Sequence, residues 1–221
     1  MREKFDMQMD DINLKVVKMA TKVERIIAMS TKALQEKNKE LANQAIALDE
    51  EINEAESEIQ RLCINIMLMQ QPIFADNLRF VSSAFKILTD LERMGDQARD
   101  ISVLNLELID KKGVWNIELI SKMAENAAKM VSLSVVSYTD KDIEIAKQVI
   151  KADDEVDDMF DEVKNQLVKY IVSSENESKG IDALDTLMIA KYFERIADHA
   201  QNVAEWVIYS ITGKGKDEIV L

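Results

Sequence analysis

The sequence predicts an all-α protein: two three-helix bundles built from six long antiparallel helices. Three observations carry this. First, 221 residues contain one Pro and five Gly, too few breakers to punctuate a many-stranded sheet. Second, apolar residues recur in alternating steps of four and three, the period of helices packed in a bundle. Third, one acidic helical phrase occurs twice. Residues 90–100 read DLERMGDQARD and residues 192–202 read YFERIADHAQN. At an offset of 102, Glu92 meets Glu194, Arg93 meets Arg195, Asp96 meets Asp198 and Ala98 meets Ala200. Upstream, Asp49-Glu50-Glu51-Ile52-Asn53 is answered by Asp153-Asp154-Glu155-Val156-Asp157.

The first helix is expected over 5–37, with Phe5, Met9, Ile12, Val16, Met19, Val23, Ile26 and Ala33 on one stripe and Ser30 filling its gap. The second covers 39–70 on Leu41, Ala45, Leu48, Ile52, Ala55, Ile59, Leu62, Ile66 and Met69. Pro72 ends it, because Pro lacks the amide donor and restricts the residue before it. The third starts at Ala75 or Asp76, where the Asp76 carboxylate can cap the helix or oppose its dipole, and runs to Ile109. Gly113 breaks the chain between the units. The fourth helix is expected over 115–138, followed by a Thr139-Asp140 turn. The fifth covers 142–172 on Ile145, Val149, Ala152, Val156, Met159, Val163, Leu167 and Tyr170, and Ser173-Ser174 closes it. The sixth spans 178–211. The domains are thus 1–110 and 111–213, with a tail at 214–221. Helices of this size are about 45 Å long, and each is too amphipathic to stand alone.

Composition narrows the function. A formal charge of −13 and a pI of about 4.7 disfavour nucleic acid, which needs clustered Lys and Arg. They favour cations or basic protein surfaces. Cys63 is the only cysteine. It permits no internal disulfide and sits beside the Leu62/Ile66 stripe, so a buried structural thiol is expected. The charged N-terminal residues do not resemble a signal peptide, and no apolar run suffices to span a membrane. A cytoplasmic protein is the expectation. No Gly-rich phosphate loop, nucleophile elbow or Cys/His pair is present. His199 is the only histidine, read as a surface or capping residue. Ferritin-like di-iron chemistry needs two Glu-x-x-His motifs, and the residue three before His199 is Ile196.

The chemistry therefore lies in the carboxylates. Residues at i and i+4 stack on one helix face. The pairs Glu92/Asp96, Glu194/Asp198 and Asp153/Asp157 recur in both halves, and Asp49/Asn53 is a fourth with one carboxylate replaced by an amide. Such pairs repel by a few tenths of a kcal/mol on an isolated helix, roughly. A cation would reverse that, and oxygen-only ligation suits Mg²⁺, Ca²⁺, Mn²⁺ or iron. Glu92 also continues the apolar spacing Val81, Phe85, Leu88, so it lies on or beside the packed seam, where a charge needs a partner. Two partners stand open: a metal, or Arg93 and Arg99. The run from Asp153 to Glu162 holds seven acids in ten residues. Asp154, Asp158, Asp161 and Glu162 are read there as a solvated face.

Gln71-Pro72, then Asp76-Asn77-Leu78-Arg79, then Asp90-Leu91-Glu92-Arg93-Met94-Gly95-Asp96 resembles the PhoU family of phosphate-signalling proteins. Asn77 is an insertion relative to that pattern. Phe193-Glu194-Arg195-Ile196-Ala197-Asp198-His199 with Asn202 supplies the second copy. The resemblance implies two pseudo-symmetric bundles. It also implies a non-enzymatic cytoplasmic regulator, often a homodimer, that represses high-affinity phosphate uptake and the starvation response. Its implied partners are the ATPase subunit of the phosphate transporter and a sensor histidine kinase, with membrane association only through them. The metal positions it implies are Asp49, Asn53, Glu92, Asp96, Asp153, Asp157, Glu194 and Asp198, for a divalent or multinuclear metal such as iron, zinc, magnesium or manganese. No organic cofactor is implied. Asn53 departs from the acidic pattern and weakens the first site. Arg93 and Arg195 fall on the family's arginine positions. Two alternatives are an accessory of another phosphate or anion transporter and a metal-binding helical protein.

Overall fold

A computed structural model describes residues 2–69, 74–109, 117–173 and 177–219. Six helices follow one another: α1 (Arg2–Glu36), α2 (Lys39–Met69), α3 (Ala75–Leu108), α4 (Ile117–Asp140), α5 (Ile143–Val172) and α6 (Glu177–Thr212). A short 3-10 turn, Lys216–Glu218, closes the chain. Among the described residues there is no strand. Helices α1, α2 and α3 pack on one another, and α4, α5 and α6 do the same. The two bundles join chiefly through α3 against α6, with α1 against α4 beside them.

The stripes predict the core well. Ile12, Val16, Met19, Val23, Ile26, Ser30 and Ala33 of α1 are buried, as are Val149, Val156, Val163 and Leu167 of α5. One apolar core runs through both bundles. On α2 the buried face includes a row that the predicted stripe left aside: Ala42, Asp49 and Cys63 join Ala45, Ile52, Ile59 and Ile66. Asp49 is therefore a charge on the core-facing side. Its position, four after Ala45 and three before Ile52, puts it there.

The first turn of each bundle repeats in atomic detail. Lys37 (φ 52°) and Lys141 (φ 53°) both adopt the left-handed conformation. Next to them, the Asn38 amide donates to the Ala33 carbonyl and the Asp142 amide to the Ser137 carbonyl, each at 3.0 Å. This is the helix-ending motif normally built on Gly. Asn38 and Asp142 then cap the following helices, accepting from the Leu41 amide at 3.0 Å and from the Glu144 and Ile145 amides at 2.8 and 3.1 Å. The predicted Thr139-Asp140 turn is thus shifted: α4 continues through Asp140, and Asp142 is the cap. At α3 the cap position is Phe74, without a side-chain bond. Asp76 lies in the first turn, where its charge opposes the dipole and pairs with Arg79 at 2.5 Å. Ser173 ends α5 as expected. Phe5's side chain, Pro72, Gly113, Trp115 and Ser174 lie outside the described residues.

Candidate functional site

The first acidic face lies between α2 and α3. Asp49 is only 4% exposed. Arg99 of α3 reaches over it, with Nη1 3.4 Å from Asp49 Oδ2 and 3.5 Å from Asp96 Oδ1, and Nη2 2.8 Å from Asp100 Oδ1. Arg93 pairs with Asp96 at 3.2 Å and Glu92 at 3.4 Å. Asn53 Nδ2 donates to Asp49 Oδ2 at 3.4 Å. Gly95 allows the two helices this close: a Cβ there would lie 3.1 Å from Ile52 Cδ1 and 3.5 Å from Asp49 Oδ1. Burial raises the Asp49 carboxyl above the usual range, Arg99 draws it back, and Asp96 raises it again. Burial and then Asp96 raise Glu92, and burial raises Glu56.

The second face lies between α5 and α6, and it is built differently. Asp153 and Glu194 are buried, while Asp157 is exposed and Asp198 half-buried. Among the described residues, one ion pair reaches this set, from Lys191 to Glu194. Asp153 Oδ1 and Glu194 Oε2 are buried without a hydrogen-bond partner. Burial, then the charges of Asp198, Asp157, Asp154 and Glu194, push the Asp153 carboxyl up to about 7. Asp157 and Asp198 are raised as well, each by burial first and then by the other acids.

Between the two faces, α3 and α6 exchange polar contacts. His199 Nδ1 lies 2.9 Å from Asp90 Oδ1, and Asn202 Nδ2 donates to the same oxygen at 3.2 Å. Burial, and then the charge of Asp100, raise the Tyr192 phenol. His199 is therefore an interface residue rather than a surface or capping one.

All four predicted pairs thus fall on two faces, helix facing helix in each bundle. The solvated reading of Asp154, Asp158, Asp161 and Glu162 agrees with their exposure. Three contributors escaped the sequence reading. Glu56 lies seven residues beyond Asp49 on the same helix face, and that spacing was available. Lys191, three before Glu194, was equally visible. Asp90 was not, because its partners lie more than a hundred residues away. The chemistry of the donors fits a hard cation, since the set is all oxygen and carries orphaned buried atoms. Among the described residues, no three acidic, imidazole or thiol groups are gathered closely enough to hold a metal ion as they stand.

A duplicated all-α bundle with an acidic face in each half defines the class. The family model for the PhoU domain matches it twice, over residues 16–104 and 120–207. The chain belongs to the PhoU family. It is 33% identical over 216 residues to a protein of Clostridium acetobutylicum named a phosphate-specific transport system accessory protein PhoU homolog, covering 98% of each chain. A homolog of the same name from Aquifex aeolicus is 36% identical over 188 residues, covering 85% of this chain and 84% of the relative. The crystal structure of PhoU from Pseudomonas aeruginosa superposes with a TM-score of 0.90 at 28% identity, covering 95% of this chain and 100% of that one. The phosphate transport system regulatory protein PhoU from Streptococcus pneumoniae superposes with a TM-score of 0.87 at 25% identity, covering 98% and 100%.

Proposed function

We propose that this chain is a non-enzymatic negative regulator of high-affinity phosphate uptake and of the phosphate-starvation response. It works in the cytoplasm as a homodimer and links the ATPase subunit of a phosphate ABC transporter to a sensor histidine kinase. The observation that carries this reading is likeness over nearly the whole chain to proteins named as accessory or regulatory components of phosphate transport. The physical properties agree. A helical slab of charge −13 docks most readily on basic protein surfaces. Among the described residues no helix is long and apolar enough to cross a membrane, so contact with a transporter runs through a protein partner. The usual catalytic side chains are occupied: Cys63 is buried with its thiol raised to about 11, and His199 is tied to Asp90.

The acidic faces would hold a divalent or multinuclear metal, through Asp49, Glu92 and Asp96 with the Asn53 carbonyl, and through Asp153, Asp157, Glu194 and Asp198. Such a cation supplies positive charge that cancels carboxylate repulsion and can attract an anionic group.

The test is a starvation-gene reporter in a strain lacking the gene, grown in high phosphate. The reporter is expected to be on. A silent reporter would reject the repressor role, and crosslinking to a different anion transporter would then favour the accessory reading.

A further inference from the structure

Along one edge of the α3–α6 contact, three pairs share a register. A Cβ on Gly213 would lie 3.1 Å from Arg79 Nη1, Lys86 Nζ lies over the Trp206 ring at 5.9 Å from its centroid, and Asp90 accepts from Asn202 at 3.2 Å. Gly213, at φ 74°, ends α6, and the chain turns back so that Lys216 pairs with Glu205 at 2.9 Å. A cleft of about 430 Å³ opens between this C-terminal turn and α6, lined by Asn202, Glu205, Trp206, Tyr209, Gly215 and Lys216. Sites for small molecules measure roughly 300–1,000 Å³.

The repeat puts different chemistry on the opposite edge. At the offset of 102, Arg79 is answered by Ile181, Lys86 by Met188, Asn202 by Asp100, Trp206 by Leu104 and Tyr209 by Glu107. The cations and the rings all fall on the edge that holds the cleft. Packing alone does not demand them, since apolar or acidic residues serve at the equivalent places. Lys86 is exposed, and among the described residues it pairs with no carboxylate.

These groups converge on one kind of molecule. Trp206 is half-buried, and Tyr209 meets it edge-on at 5.8 Å and 88°. The indole is thereby fixed as a surface on which a planar ring can stack. Lys86 above it and Lys216 at the rim supply ammonium groups for phosphate oxygens. Arg79, whose Nε is buried without a hydrogen-bond partner, adds positive charge behind Gly213. The nearby carboxylates are already answered, Glu205 by Lys216 and Asp90 by His199 and Asn202. Asn202 spends one amide hydrogen on Asp90. Its remaining edge offers one donor and one acceptor, the match for adenine N7 and the N6 amino group; guanine presents two acceptors there.

We propose that this cleft binds an adenine nucleotide, with the base on Trp206, its edge read by Asn202, and its phosphates on Lys86 and Lys216. The C-terminal turn forms the outer wall of the site.

The experiment is calorimetric titration of the full chain with ATP, ADP and AMP in chelator, so that no divalent cation bridges phosphate to carboxylate. Trp115→Phe leaves Trp206 as the only tryptophan, and its fluorescence reports the stacked base. Adenine nucleotides should bind saturably and quench Trp206. Lys86→Met and Trp206→Leu each install the residue of the opposite edge. Each should weaken binding at least about tenfold, through loss of a charge-assisted contact or of stacking. Lys169→Met, exposed on α5, should leave binding unchanged, and GTP should bind at least about tenfold more weakly than ATP. Circular dichroism confirms that each variant is folded, and exposed Lys86 gives a variant that does not open the core. No saturable binding by wild type would overturn the proposal, as would binding that Lys86→Met and Trp206→Leu both leave intact. Pyrophosphate binding as tightly as ATP would overturn the role of the base, and GTP binding as tightly would overturn its reading by Asn202.

Discussion

Asp90 of α3 accepts a hydrogen bond from Asn202 of α6 at 3.2 Å, and the repeat carries this pair onto Tyr192 and Asp100, which are near enough for the Asp100 charge, after burial, to raise the Tyr192 phenol. Position 90 meets 202 just as its counterpart 192 meets 100. The α3–α6 interface is therefore a pseudo-twofold contact, the arrangement expected when a duplicated unit packs on itself through one self-complementary face. Asp90 also holds His199. Its replacement by Ala should leave both partners unsatisfied at a partly buried interface, costing about 1–3 kcal/mol. Urea unfolding checks this, with Asp158→Ala on the solvated face as the control, expected within about 0.5 kcal/mol of wild type.

Lys37 and Lys141 occupy left-handed positions where Gly is the usual residue. A side chain there costs roughly 1 kcal/mol. Lys37→Gly and Lys141→Gly should each raise stability by about that amount. Their effects should add, because the two turns belong to different bundles. Thermal melts of the single and double variants measure it.

The buried acid Asp153 makes stability pH-dependent. Its folded value of about 7 lies above the 3.8 of a free carboxyl. Between those values the folded protein keeps a proton that the unfolded chain has released. The stabilisation is complete below the unfolded value and is lost as pH rises toward 7. In chelator, the melting temperature of wild type should rise from pH 8 to pH 6. Asp153→Asn should be more stable than wild type at pH 8 and show a flatter profile. A variant that is less stable at pH 8 would contradict the assignment.

Cys63 is fully buried and its thiol is raised to about 11 by burial. Only the thiolate reacts with alkylating reagents. Iodoacetamide at neutral pH should leave the native protein unlabelled and modify it once denaturant is added, a result that mass spectrometry reads directly.

The fold was legible because helix period, scarcity of Pro and Gly, and duplication all point the same way. The six helices differ from their predicted bounds by a few residues at most. The errors lie where backbone conformation overrides propensity: Lys141 ends α4 in a left-handed turn that no residue-type rule would assign to Lys. The acidic pairs were legible as pairs, because i, i+4 spacing is local. Their inequality was not. That Arg99 lies over Asp49 depends on the register of α2 against α3, which Gly95 sets by close approach. Arg93 and Arg99 on one side and metal on the other were left as rival partners by the sequence. In the structure the arginines take the first face, and among the described residues the ion pair that reaches the second is Lys191 with Glu194. The partnership of Asp90 with His199 and Asn202 comes from a contact across the interface, beyond the reach of any local pattern.

In the proposed function the acidic faces carry regulation. The direct measurement is complementation of the deletion strain in high phosphate with wild type or with Glu92→Ala/Asp96→Ala/Glu194→Ala/Asp198→Ala, each shown to be folded by its melting curve. Removing carboxylates that repel one another should not unfold the bundles. Wild type should silence the starvation reporter, and the quadruple variant, present at equal abundance, should leave it on. Silencing by the quadruple variant would contradict it and reduce the acidic faces to solvated surface.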